Sequence, residues 1–242
     1  MADSGVVCAI PARFASQRLP GKPLRLLAGT PMIEHVYRRA TEARGVDRVV
    51  VLTDDERIRD AVQAFGGDVE MTPAECANGT ERIAWAAKAW SAEAVVNVQG
   101  DEPLLDAELV SRVAEHLSRS EDAMVTAATP ASEEDLRDPD KVKVVLDSAG
   151  SALYFSRAPI PFPRHAGIAP VWRHLGLYGY RREVLLQLAQ TPPTPLEQSE
   201  SLEQLRALET GIRIRVLEAE RAPIGVDTED DLEKVEAILA ST

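Results

Sequence analysis

Short apolar runs alternate with amphipathic segments along most of the chain. The runs are rich in β-branched residues and have the length of strands, whereas segments between several of them repeat apolar residues at helical spacing. This alternation is typical of βαβ units around a mainly parallel sheet, so it predicts an α/β sandwich. The predicted strands are residues 6–10, 48–52, 68–71, 94–98, 123–128, 142–147, 172–180 and 212–217.

Three segments carry the clearest helix signals. Residues 31–43 and 56–65 each place their apolar side chains on one face. Thr228, followed three residues later by Asp231, predicts a capping box that opens a C-terminal helix. Residues 151–208 break the regular alternation. We expect one domain over residues 1–242, in which residues 151–208 form a smaller lobe that binds a ligand or makes a dimer contact.

Charge narrows the range of partners. The chain has 27 basic and 39 acidic side chains, and its formal net charge of −12 repels nucleic acids and anionic membranes. The sequence shows no basic signal region and no apolar run near the ~20 residues of a membrane span, so we expect a cytoplasmic protein. Cys8 and Cys76 have neither a disulfide nor a metal-ligand pattern.

A cationic loop, residues 11–23, follows the first predicted strand and contains Arg13, Arg18 and Lys22. Loops at the carboxyl ends of parallel strands bind ligands in α/β sheets, and these cations suit a triphosphate. The loop lacks both the P-loop pattern and the dinucleotide-binding glycine pattern, which disfavours a kinase or a dinucleotide enzyme. The alternative is a solvated basic loop without a ligand.

Two acidic positions suit a hard cation. Asp101 follows the predicted strand 94–98, and Asp227 precedes the C-terminal helix. Magnesium prefers one or two carboxylates together with substrate phosphates. The alternatives are that Asp101 only turns the chain and that Asp227 only caps a helix.

A series of motifs extends along nearly the whole chain: Ile10-Pro11-Ala12-Arg13, Arg18-Leu19-Pro20-Gly21-Lys22-Pro23-Leu24, Gly79-Thr80-Glu81-Arg82, Asn97-Val98-Gln99-Gly100-Asp101-Glu102-Pro103, Lys143-Val144-Val145-Leu146-Asp147, Tyr154-Phe155-Ser156-Arg157-Ala158, Arg173-His174-Leu175-Gly176-Leu177-Tyr178-Gly179-Tyr180, Leu202-Glu203-Gln204-Leu205-Arg206 and Gly225-Val226-Asp227-Thr228. In this order they resemble the 3-deoxy-manno-octulosonate cytidylyltransferase family, the CMP-Kdo synthetases.

The resemblance implies a Rossmann-like nucleotidyltransferase sandwich, a homodimer, and a reaction in which CTP and an acidic sugar meet on Mg²⁺. It implies that the nucleotide is bound by Ala12, Arg13, Arg18, Lys22, Asn78, Gly79, Thr80 and Gln99. The implied acceptor-binding residues are Arg157, His174, Tyr178, Glu203 and Gln204. The implied metal ligands are Asp101 and Asp227, and the residues implied in catalysis are Lys22, Arg13, Arg18 and Asp101.

We expect the acceptor oxygen to attack the α-phosphorus of CTP in line, with pyrophosphate leaving and no covalent enzyme intermediate. The segment between Arg157 and His174 is shorter than in familiar members, and Cys76-Ala77-Asn78-Gly79-Thr80 replaces a His-x-Ser-Gly-Thr type segment. The acceptor therefore stays open between Kdo and another acid, such as an amino-Kdo, another 2-keto sugar acid or a small phosphonate. His174 binds the acceptor or acts as a base. A sensing module without catalysis is the hypothesis from another class.

Overall fold

The computed structural model describes residues 5–15, 19–165 and 167–240, so the predicted phosphate ligand Arg18 lies outside the described residues. The strands of this part are β1 (Val6–Pro11), β2 (Leu26–Leu27), β3 (Thr30–Pro31), β4 (Arg48–Thr53), β5 (Val69–Met71), β6 (Ala94–Asn97), β7 (Met124–Pro130), β8 (Lys143–Leu146), β9 (Ala152–Ser156), β10 (Trp172–Arg181) and β11 (Ile214–Glu218). The helices are α1 (Met32–Thr41), α2 (Glu56–Ala64), α3 (Gly79–Ala87), α4 (Ala107–Arg119), α5 (Glu133–Arg137), α6 (Arg182–Gln190), α7 (Pro195–Glu200), α8 (Gln204–Glu209) and α9 (Glu229–Leu239).

The central sheet has the strand order β11-β7-β10-β6-β1-β4-β5. Strands β6, β1, β4 and β5 are parallel, as are β11 and β7. Strand β10 is antiparallel to both β6 and β7, and β8 and β9 extend the sheet from β10. The predicted α/β fold with a mainly parallel central sheet is confirmed.

Helices cover both faces of this sheet because successive side chains of a strand point to opposite faces. From β1, Cys8 packs with helices α1, α2 and α4, whereas Val7 and Ala9 pack with α3, α6 and α8. Burial raises the pKa of the Cys8 thiol to about 12, as suits a core residue. Among the described residues, no helix combines the length and apolar character that a membrane crossing requires.

Several element boundaries differ from the sequence prediction. Pro31 pairs with Leu26 in the β2-β3 hairpin, so α1 begins one residue later than predicted. The predicted strand from residue 212 begins at Ile214, because the Ile212 N–H donates to Ala207 O and closes the end of α8. Strand β9 was missed. It lies in the predicted lobe, residues 151–208, which also supplies β10 to the central sheet.

Candidate active site

Two adjoining cavities open at the carboxyl ends of β1 and β6. The Lys22 cavity, of about 430 Å³, is lined by residues that include Ala12, Arg13, Lys22, Asn78, Gly79, Gln99 and Asp101. The His174 cavity, of about 500 Å³, is lined by residues that include Gly79, Thr80, Gln99, Arg157, His174, Tyr178, Glu203 and Gln204. Because Gly79 and Gln99 line both, the two cavities adjoin at these residues and form two chemically different halves of one candidate site.

Lys22 lies at the centre of an acidic cluster in the first half. Its ammonium donates to Asp101 Oδ2 at 2.6 Å, to Val226 O at 2.8 Å and to Asp227 Oδ1 at 3.1 Å. These bonds engage all three N–H groups of the ammonium. Burial lowers the pKa of Lys22, but the two carboxylates outweigh it and hold the pKa above its ordinary value.

The backbone brings the two aspartates together. Gly21, with φ of 67°, adopts the left-handed conformation that glycine favours and starts the 3₁₀ helix Lys22–Leu24. The Val226 N–H donates to Asp101 O at 2.9 Å, which fixes the segment before α9 against the turn after β6. Two carboxylates distant in sequence therefore face one ammonium.

These carboxylates fit a hard divalent cation by their chemistry. Their side chains are 35% and 49% exposed, so both are accessible to solvent. The described residues contain no group of three or more His, Cys, Asp or Glu that would enclose a metal. Magnesium needs no such group, because it combines one or two carboxylates with phosphate oxygens and water. The metal itself stays a prediction.

The amino end of α3 forms the wall between the two halves. Asn78 caps the helix, its Oδ1 accepting from the Glu81 N–H at 2.8 Å, so its amide NH₂ is the group left for a ligand. A Cβ on Gly79 would lie 3.1 Å from Pro11 Cγ, which favours glycine where the helix approaches the end of β1 closely. Helix amino ends attract anions, and the positive charge of Arg13 adds to this attraction.

Gln99 connects the two halves through a hydrogen bond. Its Nε2 donates to Gly176 O at 3.1 Å, in an irregular part of β10. The register of β10 against β7 shifts there, since Leu175 pairs with Ala127 but Tyr178 pairs with the next residue, Thr126. Residues 176 and 177 thus form a bulge.

This bulge brings His174 and Tyr178 together in the wall of the His174 cavity. Four residues of regular strand span about 13 Å, so the rings of His174 and Tyr178 would not meet on a continuous strand. With the two extra residues their centroids lie 5.3 Å apart. Burial lowers the pKa of His174 to about 3 and raises that of Tyr178 well above its ordinary value. At neutral pH both side chains are therefore uncharged.

Arg157 supplies positive charge to this wall. Its Nε donates to Glu200 O at 2.8 Å, its Nη1 to Pro139 O at 3.0 Å and its Nη2 to Ser201 O at 3.4 Å. These carbonyl oxygens orient the guanidinium without neutralising it. The exposed Asp140 carboxylate lies 3.8 Å from Nη1, and the Glu200 carboxylate accepts from the Arg157 backbone N–H at 2.9 Å. The arrangement suits an acidic ligand, to which a guanidinium donates two parallel hydrogen bonds.

Sequence reasoning missed three residues that shape the site. Asn97 lines the His174 cavity, is buried, and has no hydrogen-bond partner for Oδ1 within the described ranges. Arg82 is fully buried, and its Nη2 lies 3.1 Å from Asp54 Oδ1, which anchors α3. Asn97 and Arg82 lie within the motifs that carry the family resemblance. Asn97 is also a polar residue in an apolar strand, which was an available signal. Thr126, on β7, had no signal, because threonine is an ordinary strand residue.

The sheet, the cationic loop and the paired carboxylates define a nucleotidyltransferase of the cytidylyltransferase class, and a family model described as cytidylyltransferase matches residues 7–214. The chain is 49% identical to a 3-deoxy-manno-octulosonate cytidylyltransferase from Syntrophotalea carbinolica, over 97% of this chain and 98% of that protein. It is 50% identical to the protein of that name from Myxococcus xanthus, over 99% and 98%. The chain belongs to the 3-deoxy-manno-octulosonate cytidylyltransferase family, as the motifs indicated.

Solved structures agree. A CMP:2-keto-3-deoxy-manno-octonic acid synthetase in complex with CTP matches with a TM-score of 0.95 and 44% identity, over 98% of this chain and 99% of that one. A 4-diphosphocytidyl-2C-methyl-D-erythritol synthase from Anaerococcus prevotii matches with a TM-score of 0.64 and 14% identity, over 98% and 96%. The second similarity concerns the fold alone.

Proposed function

We propose that this chain transfers CMP from CTP to Kdo and releases pyrophosphate. The observation that carries the proposal is the pair of adjoining cavities that form the two halves of the site. One half presents Arg13 and Lys22 beside two carboxylates, and the other presents Arg157 together with the uncharged His174 and Tyr178 and the carboxyl group of Glu203. A triphosphate and an acidic sugar therefore meet where Gly79 and Gln99 form the shared wall.

In this reaction the anomeric hydroxyl of Kdo attacks the α-phosphorus of CTP. The new bond joins that oxygen to phosphorus, the bond from phosphorus to the oxygen of the β-phosphate breaks, pyrophosphate leaves with the bonding electron pair, and the hydroxyl proton passes to solvent. Arg13 and Lys22 stabilise charge on the phosphoryl and leaving oxygens, mainly by position and electrostatics. Arg157 binds the sugar carboxylate and holds the acceptor for in-line attack.

Asp101 and Asp227 would hold Mg²⁺ together with phosphate oxygens of the nucleotide. When bound, the cation supplies Lewis-acid stabilisation of the phosphate charge. In the structure Lys22 bridges the same two carboxylates, so its ammonium balances part of their charge. We also propose a cytoplasmic homodimer, with residues 151–208 contributing to the contact.

The test combines turnover with one pair of variants. Purified protein with CTP, Mg²⁺ and Kdo should release pyrophosphate and form CMP-Kdo, and an acid panel should include an amino-Kdo and a small phosphonate. Arg157→Ala should raise the acceptor KM roughly 30-fold or more, the loss of a charge-assisted contact, with little change in the KM for CTP. Arg137→Ala, on the surface of α5, is the matched control.

Two results would contradict the proposal. Pyrophosphate release with another acid but not with Kdo would reassign the acceptor. No release with any acid in the panel would favour a binding module without catalysis. An equal effect of Arg157→Ala on both KM values would remove Arg157 from the acceptor side.

A further inference from the structure

A buried hydroxyl behind the acceptor wall has more contacts than its position in a core strand requires. Thr126, on β7, is fully buried. Its Oγ1 lies 2.8 Å from Leu177 O, 3.3 Å from Leu175 O and 2.9 Å from His174 Nε2. The hydroxyl thus joins the β10 bulge to the ring of His174.

The number of protons settles the direction of these hydrogen bonds. A threonine hydroxyl has a single proton, and a carbonyl oxygen only accepts. The proton therefore points to the carbonyls of the bulge, chiefly to Leu177 O at the shorter distance. The contact with His174 is then a hydrogen bond only if Nε2 carries a proton and donates it to Thr126 Oγ1.

This direction fixes the state of the imidazole ring. A neutral imidazole holds one proton, so a ring protonated at Nε2 has its lone pair at Nδ1. Burial lowers the pKa of His174 to about 3, which keeps the ring neutral at physiological pH. Nδ1 makes no hydrogen bond with any residue in ranges 5–15, 19–165 and 167–240, and the side chain lines the acceptor cavity.

We propose that Thr126 is a positioning residue that holds His174 as the Nε2–H tautomer, so that Nδ1 accepts a hydrogen bond from a hydroxyl of the acidic acceptor. The acceptor side of this statement rests on the proposed function. His174 then orients the acceptor through this hydrogen bond. Specificity follows, because an acceptor lacking a hydroxyl at this point leaves the Nδ1 lone pair without a partner.

The bulge has a second tie that separates this role from general support of the strand. Gln99, which follows β6 on the other side of β10, donates from its Nε2 to Gly176 O at 3.1 Å. Removing the hydroxyl of Thr126 therefore leaves the bulge attached on the nucleotide side. The main loss is the acceptor for the His174 Nε2–H.

Nitrogen-15 NMR of the histidine side chains tests the tautomer directly. The chain has four histidines, and the signal of His174 is assigned by its absence in His174→Gln. The full-length protein and Thr126→Ser should show a neutral Nε2–H ring at pH 7, whereas Thr126→Val, which keeps the shape but not the hydroxyl, should show a mixture of tautomers. An Nδ1–H ring in the unsubstituted protein overturns the proposal, even if the valine variant fails to fold.

Kinetics supply the second readout. Thr126→Val should raise the acceptor KM about five- to tenfold, the loss of one oriented hydrogen bond, while the KM for CTP changes less than about twofold. Thr126→Ser should restore the acceptor KM. Equal changes in both KM values, or no rescue by serine, overturn the positioning role.

Failure of the proposed function looks different. In that case the unsubstituted protein forms no CMP-Kdo, whereas the NMR signals still report whether Thr126 sets the tautomer. An Nε2–H ring without turnover would therefore contradict the proposed reaction but support the proposed tautomer. Turnover with an Nδ1–H ring would support the reaction but contradict the tautomer.

Discussion

Replacing Lys22 with methionine should strengthen Mg²⁺ binding to the enzyme without nucleotide. In the structure the Lys22 ammonium occupies the space between Asp101 and Asp227, at 2.6 and 3.1 Å from their oxygens. A cation that binds both carboxylates must first displace this ammonium. Methionine keeps most of the side-chain length and apolar stem but removes the competing charge.

The size of the effect follows from the exposure of the two carboxylates. A hydrogen bond to a charged group contributes about 1.5–3 kcal/mol, and solvent reduces this for partly exposed pairs. At 35% and 49% exposure the competing interaction is worth about 1–2 kcal/mol. Its removal should tighten Mg²⁺ binding by about 5- to 30-fold.

Calorimetric titration of Mg²⁺ into protein without CTP measures this affinity. Arg25→Met is the matched control, because Arg25 lies next to the same 3₁₀ helix but pairs with Glu229, at 2.7 Å. It removes one positive charge nearby and should change the affinity little. Asp101→Asn should abolish tight binding. Unchanged or weaker Mg²⁺ binding in Lys22→Met, with Arg25→Met unaffected, would refute competition between the ammonium and the metal.

Three further predictions concern stability, each measured by urea unfolding. Glu197→Gln should cost about 3 kcal/mol, because it leaves the buried Arg206 guanidinium without its carboxylate; a change below about 1 kcal/mol would show that the pair is not needed. Gly179→Ala should cost about 1–3 kcal/mol, since a Cβ there would lie 2.6 Å from Leu117 Cδ1; wild-type stability would mean that the helix yields. The folded pKa of His174, about 3, lies below the ordinary value of the unfolded chain, so the unfolded state binds more protons between these values. Stability should therefore fall as pH drops below about 6.5, by up to about 1.4 kcal/mol per pH unit, and less steeply in His174→Gln; identical slopes would show that the ring is not buried neutral.

The sequence by itself determined the kind of fold and the family, and it predicted the chemistry of the ligands. Apolar runs of strand length between amphipathic segments require a covered sheet, because only that arrangement buries both faces of the runs. The cations of the first loop and the aspartates after β6 and before α9 were recognisable because each belongs to a local motif. The implied acceptor-binding residues, among them Arg157 and His174, likewise line one cavity.

Only the tertiary structure decided how these groups meet. Lys22 pairs with Asp101 and Asp227, which are separated from it by 79 and 205 positions in the sequence. Such contacts depend on the packing of distant segments. The bulge that brings His174 beside Tyr178 is set by strand register against β7, which no local pattern encodes. The proposed role of Thr126 depends on the same register. A threonine in a core strand contacts a site residue only when the neighbouring strand brings that residue next to it.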